Sequence, residues 1–155
     1  MLSNTTSHLG AQGSPYAWVM NIVFMLLGVM AVLHTVQARF HYTRILGLAF
    51  GLSLLLTGVF QHASLVESNQ VNQFQDTLHS FFATTAGLSF TLFASGHAFI
   101  GKGSQRKAAI LLALIAVAVP LIMFSIPSIM GIAQRLMFIA AFYWLFFYFR
   151  DENVT

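Results

Sequence analysis

The chain alternates long apolar runs with short polar turns. Tyr16 to Ala38 is mostly apolar for about 23 residues, enough to cross a hydrocarbon core of about 30 Å at about 1.5 Å per residue. Arg39-Phe40-His41-Tyr42-Thr43-Arg44 interrupts it, and Ile45 to Phe60 resumes the apolar pattern. That second run is short for a crossing and is expected to borrow Arg44 and Gln61 at its ends. After the polar connection Gln61 to Gln75 come three further runs, Leu78 to Ile100, Ala108 to Ile126 and Ile132 to Phe149. The pattern predicts an all-α integral membrane bundle of five transmembrane helices, over about residues 16–38, 45–60, 78–100, 108–126 and 132–149, forming a single helical membrane domain over 1–155.

Local signals refine these elements. Pro15 suits the first turn of the first helix, where a missing N–H costs nothing. Tyr16 and Trp18 sit where an interfacial aromatic belt is expected. Asp76 is the expected N-cap of the third span, and Pro120 marks a kink in the fourth. Gly47 and Gly51 form a small-xxx-small pair that permits close helix approach. Ala83, Gly87, Ala94 and Gly96 give the third span a small-residue surface suited to the bundle centre. Met1 to Ser14 is rich in Ser, Thr and Gly, lacks the basic n-region of a signal peptide, and is expected to form a short ordered or half-ordered tail.

Composition agrees with the membrane reading: 57% of residues are hydrophobic and only 7% charged, against the roughly 25% charged of soluble domains. The absence of cysteine excludes disulfides, thiolate catalysis and Cys-ligated metals. Charge then sets orientation. Arg39, Arg44, Lys102, Arg106, Lys107 and Arg150 all fall on one side if five spans alternate, and that side should be cytoplasmic. The N-terminus is therefore expected outside and the C-terminus inside. So one-sided a placement reads as topology in a cell membrane, and no nucleic-acid partner is expected.

Arg135 departs from this rule, lying about one turn into the fifth span on the outer side. Charge inside a membrane is costly and usually marks a buried pair or a functional site. Asp76 is its expected partner, with His79 and Gln134 completing the hydrogen bonds, while Glu67 sits mid-loop in water. Three helix N-termini also meet on this face, and their dipoles favour anions. The candidate pocket therefore comprises Asp76, His79, Arg135, Gln134, His62 and Asn21, suited to a phosphate or carboxylate such as a lipid headgroup.

Other chemistries compete for the same residues. Asp76, His79 and His62, with His8, could ligate a divalent metal in a membrane-embedded lipid hydrolase. A His-x-x-x-His pair on a late helix is missing, so capping and interfacial roles are preferred. Ser7, Ser64 and Ser80 have no nucleophile-elbow context and read as ordinary polar residues. His34 and His97, near the inner ends of spans one and three, could flank a haem. Thr35, Gln37 and Ser95 beside them point instead to interface polarity, and no cofactor is expected.

The order of short motifs resembles a known family. Ser7-His8-Leu9-Gly10-Ala11, then Gly13-Ser14-Pro15-Tyr16-Ala17-Trp18 with Asn21, then Gly58-Val59-Phe60, Asp76-Thr77-Leu78-His79 and Gly131-Ile132-Ala133-Gln134-Arg135 are similar to the bacterial membrane family catalogued as domain of unknown function 998. The resemblance implies a compact multi-span helical protein without naming a reaction. Relatives commonly carry another helix ahead of the Ser-x-Leu-Gly motif and an acidic residue where this chain has His8. Residues and resemblance together lead to a non-enzymatic binding or interaction module of the bacterial inner membrane. Its expected partners are membrane lipid, another membrane protein or a second copy, with the metal-dependent lipid hydrolase using Asp76 and His79 as the alternative.

Overall fold

The computed structural model describes residues 3–64 and 71–150, so the mid-loop Glu67 and the closing Asp151-Glu152 lie outside the described residues. Six α-helices follow in chain order: α1 (Thr6–Leu9), α2 (Ala17–Thr35), α3 (His41–Val59), α4 (Gln73–Ile100), α5 (Gly103–Ser125) and α6 (Met130–Tyr143). A 3₁₀ turn at Pro127–Ile129 leads into α6, and a π-helical turn at Trp144–Tyr148 ends it. No strand occurs among the described residues. Four segments are long and apolar enough to cross a membrane: Ala17–Thr35, His41–Val59, Gly103–Ser125 and Pro127–Tyr148. The expected third span, residues 78–100, corresponds to α4, the longest helix at 28 residues, whose Thr, Ser, Gln and His side chains make it more polar than these four.

The helix boundaries correct several expectations. Asn72, not Asp76, caps α4, its side-chain oxygen accepting the Gln75 N–H at 3.1 Å. The helix thus starts five residues before the apolar run, because a turn standing above the hydrocarbon need not be apolar. Pro15 precedes α2 instead of joining it, and Ala17 N donates to the Ser14 carbonyl at 3.1 Å. The basic residues His41 and Arg44 belong to α3, with the Arg44 guanidinium donating to the Ala38 carbonyl at 2.9 Å and so closing the α2–α3 turn.

Close packing follows the small residues. A Cβ on Gly28 would lie 2.5 Å from the Leu55 amide nitrogen, one on Gly51 2.8 Å from that of Val32, and one on Gly47 2.5 Å from Thr35 Cβ. Backbones therefore touch along the α2–α3 seam, as the Gly47/Gly51 pair predicts. Gly96 does the same for α3 and α4, leaving room for Tyr42, whose hydroxyl donates toward the carbonyls of Leu92 and Phe93.

Each long helix packs on the next in chain order, and the π-helical turn returns to α2. At one end Trp144 and Phe149 meet the buried His97 edge-on, and Phe93 in turn packs edge-on against both of them. His34, by contrast, is exposed and meets Phe146 and Phe149 edge-on. Phe149 thus touches both rings of the pair considered for haem. The bundle's outer surface carries exposed Trp18, Leu33, Leu114, Phe124 and Phe147, a girdle too apolar for water.

Candidate functional site

The opposite end is closed by the N-terminal segment, which is a built element and not a loose tail. Thr5 and His8 form a reciprocal cap around α1: the Thr5 hydroxyl accepts the His8 N–H, and the Thr5 N–H donates to His8 Nδ1, each at 3.2 Å. The segment is then stitched to α2, to α6 and to the connection between α3 and α4. Thr6 donates from both its N–H and its hydroxyl to Gln134 Oε1 at 2.8 Å. Arg135 Nη2 donates to the Asn4 carbonyl at 2.9 Å. Gln12 exchanges hydrogen bonds with the backbone of Asn72, donating at 3.0 Å and accepting at 2.8 Å, while its own N–H reaches the His62 carbonyl. Asn21, buried on α2, donates to the Gly10 carbonyl at 3.3 Å.

Beneath this cap stand three imidazoles in a stack. His8 and His62 lie 5.6 Å apart between ring centroids and nearly parallel, and His62 and His79 lie 5.3 Å apart. Asp76 sits beside the middle ring, its Oδ1 2.6 Å from His62 Nδ1 and 2.8 Å from the Ala63 N–H. Partial burial works to raise the Asp76 carboxyl, but the Ala63 N–H, the His62 bond and the nearby imidazoles outweigh it and bring it below the ordinary carboxylate value. Burial first, and then the neighbouring His62, push His8 below the ordinary histidine value.

The expected ion pair between Asp76 and Arg135 does not form. Asp76 is taken by His62 and Ala63, which border it directly, while Arg135 anchors the Asn4 carbonyl. The metal reading of Asp76, His79 and His62 also fails on geometry: no cluster of three metal-ligating side chains converges among the described residues. Of the six expected pocket residues, Asp76, His79 and His62 come together, Gln134 and Arg135 hold the cap over them, and Asn21 secures Gly10 from below.

His79 is the deepest of the three, 2% exposed. Its Nδ1 faces two carbonyl oxygens, of Phe60 at 2.8 Å and Thr57 at 3.0 Å. Carbonyls only accept, so Nδ1 carries the proton and Nε2 presents its lone pair. That lone pair meets the Ser7 hydroxyl at 3.0 Å. Ser7 is the site residue that sequence reasoning passed over. The one available signal was Thr5-x-x-His8, a capping-box spacing with His in place of Glu or Gln, which would have turned the tail into an ordered element.

Ser7 also lines a cavity between the helices. About 500 Å³ in volume, it is walled by Phe24 of α2, Phe50, Leu54 and Thr57 of α3, Ala83 to Thr91 of α4, Ala116 and Pro120 of α5, and Gln134 to Phe142 of α6. Pro120 cannot donate to the Ala116 carbonyl, which loosens α5 where it borders this space. Gly87 has nothing within 4 Å of where a Cβ would stand, so it faces the void and not a neighbouring helix. The Thr57 and Thr91 hydroxyls are satisfied within their own helices, at 2.8 Å each. Ser7 and Gln134 bring polar groups to the capped end of the cavity, Thr84 adds a hydroxyl on α4, and the wall is otherwise mostly apolar.

No curated protein and no solved structure matches the chain. A family described as "Protein of unknown function (DUF998)" matches residues 1–151, nearly the whole length, and the chain belongs to that family.

Proposed function

We propose that the chain is a five-span protein of the bacterial inner membrane that holds one membrane lipid, its acyl chain in the central cavity and its headgroup at the capped outer end. The observation that carries this reading is the cavity itself: a mostly apolar space of about 500 Å³, within the range of about 300–1,000 Å³ typical of ligand sites, with Ser7 and Gln134 at its capped end. Such a division suits an amphiphile. Arg135 adds positive charge at the same end, appropriate to an anionic headgroup.

Five crossings are supported by the place of α4, which lies between α3 and α5 and turns Phe81, Leu88, Leu92 and Phe99 outward as a lipid-compatible face. Orientation with the cap outside is supported by the basic turns, which stand at the far end of the bundle. Native mass spectrometry of the detergent-purified protein, with lipid extraction, tests the reading. One retained lipid per chain is expected, and Gly87→Phe, which fills the cavity, should abolish it. A wild-type protein free of lipid, or retention unaffected by Gly87→Phe, would overturn it.

A further inference from the structure

We propose that Ser7 is a nucleophile with His79 as its general base, and that the bundle cleaves a long-chain carboxylic ester whose acyl chain lies in the cavity. This rests on the lipid-binding reading above. The geometry has the three parts such chemistry requires. Ser7 Oγ and His79 Nε2 are 3.0 Å apart, within reach for proton transfer. The base is oriented by a third group, here the Phe60 and Thr57 carbonyls that hold the Nδ1 proton, so the catalytically useful tautomer is set by the backbone. A donor for developing negative charge lines the same cavity. Gln134 Oε1 accepts from the Thr6 N–H and hydroxyl, because the Thr6 N–H can only donate, and this leaves the amide Nε2 as the donor of that side chain.

The cap explains why the pair is assembled only in the folded chain. Ser7 comes from α1 and His79 from α4, 72 positions apart, and the Thr6 to Gln134 bonds fix the first against the second. In the reaction Ser7 Oγ attacks the ester carbonyl carbon and its proton passes to His79 Nε2. Collapse of the tetrahedral adduct breaks the acyl C–O bond, and the departing alkoxide takes the proton from His79. Water entering past the half-exposed His8 and His62 then attacks the acyl-serine, with His79 again accepting a proton. Free fatty acid leaves and Ser7 regains its hydrogen.

The test uses the full chain in detergent micelles with p-nitrophenyl palmitate as ester and a long-chain alkyl fluorophosphonate as serine probe, followed by peptide mass analysis. The expected result is a covalent adduct on Ser7 and an initial burst of p-nitrophenol. Both should fall by about 100-fold or more in Ser7→Ala and in His79→Gln, the range of general-base contributions. Ser7→Ala changes one cap side chain and carries the test alone should His79→Gln not fold. Lipid retention is measured alongside in every variant. Retained lipid with no Ser7 adduct, or hydrolysis unchanged in Ser7→Ala, overturns the nucleophile while leaving the binding reading standing. A wild-type protein with neither lipid nor adduct overturns both.

Discussion

Asp76 Oδ1 lies 2.6 Å from His62 Nδ1, joining the start of α4 to the loop that follows α3. The two side chains are 24% and 28% exposed, so the pair is partly hydrated and its energy correspondingly modest. Charge-assisted hydrogen bonds contribute about 1.5–3 kcal/mol when buried, and about 1–2 kcal/mol is expected here after screening. Asp76→Asn and His62→Gln should each lower thermal stability in detergent, and the double variant should lose less than the sum. Arg135→Gln should add independently to Asp76→Asn, because Arg135 holds Asn4 and not Asp76. Coupling between Arg135 and Asp76 in such a cycle would contradict the arrangement.

Acid should loosen the N-terminal cap through His8. Its Nδ1 accepts the Thr5 N–H, so protonation there removes one half of the cap and places a cation against His62. The folded value lies below the ordinary 6.5, meaning that the undocked segment binds the proton more readily. By linkage the stabilisation is complete above pH 6.5 and declines as pH falls through the folded value. Amide exchange at Thr6 and Ser7, or protease nicking of the segment, should therefore rise on acidification below that point. The groups bearing on the response are His62, Asp76 and His79, and His8→Gln should flatten it by removing the titrating ring. A response unchanged in that variant would contradict the role given to His8.

Two glycines on α4 make opposite predictions. A Cβ on Gly96 would fall 2.1 Å from the Tyr42 hydroxyl oxygen and 2.2 Å from its ring carbon, in the crevice where α3 and α4 lock. Gly96→Ala should cost about 1–3 kcal/mol, as overpacking commonly does. A Cβ on Gly87 meets nothing within 4 Å. Gly87→Ala should be neutral or stabilising by up to about 1 kcal/mol through helix propensity. Thermal melts of the two variants side by side decide the matter, and equal losses would mean that Gly87 is packed against a helix after all.

The long apolar runs and their alternation were legible in the sequence because a helix in lipid must be apolar over most of its length. So was the glycine seam at Gly47 and Gly51, since only small residues let backbones meet. The start of α4 was misplaced because Gln73 and Gln75 lie above the apolar stretch, where hydropathy carries no signal, and Asn72 caps from the loop. The N-terminal cap was missed for a related reason. It is held by polar contacts over long sequence separation, Thr6 to Gln134 being 128 positions apart, and such contacts leave no periodicity. Pairing Asp76 with Arg135 drew on charge sign alone, and sign says nothing of distance when His62 and an N–H stand nearer. Ser7 read as an ordinary polar residue because His79, 72 positions away, becomes its neighbour only through the cap.

Topology is the remaining test, and the chain is well suited to it because it contains no cysteine. Gln73 and Ser128 are exposed at the capped end, beside the start of α4 and in the turn before α6, while Ser104 and His41 are exposed at the basic end. Single cysteines at Gln73 and Ser128 should react with a membrane-impermeant thiol reagent in cells whose outer envelope is permeable to it. Cysteines at Ser104 and His41 should react only after lysis. The expectation follows from the positive-inside bias, which places Arg39, Arg44, Lys102, Arg106, Lys107 and Arg150 on the cytoplasmic side. The four sites also test whether α4 crosses. If α4 lay on the surface instead, Gln73 and Ser104 would label alike, because the helix between them would leave both on one side. Opposite labelling of Gln73 and Ser104 therefore establishes the fifth crossing, and labelling of Ser104 and His41 alone in intact cells would invert the orientation and place the histidine stack inside.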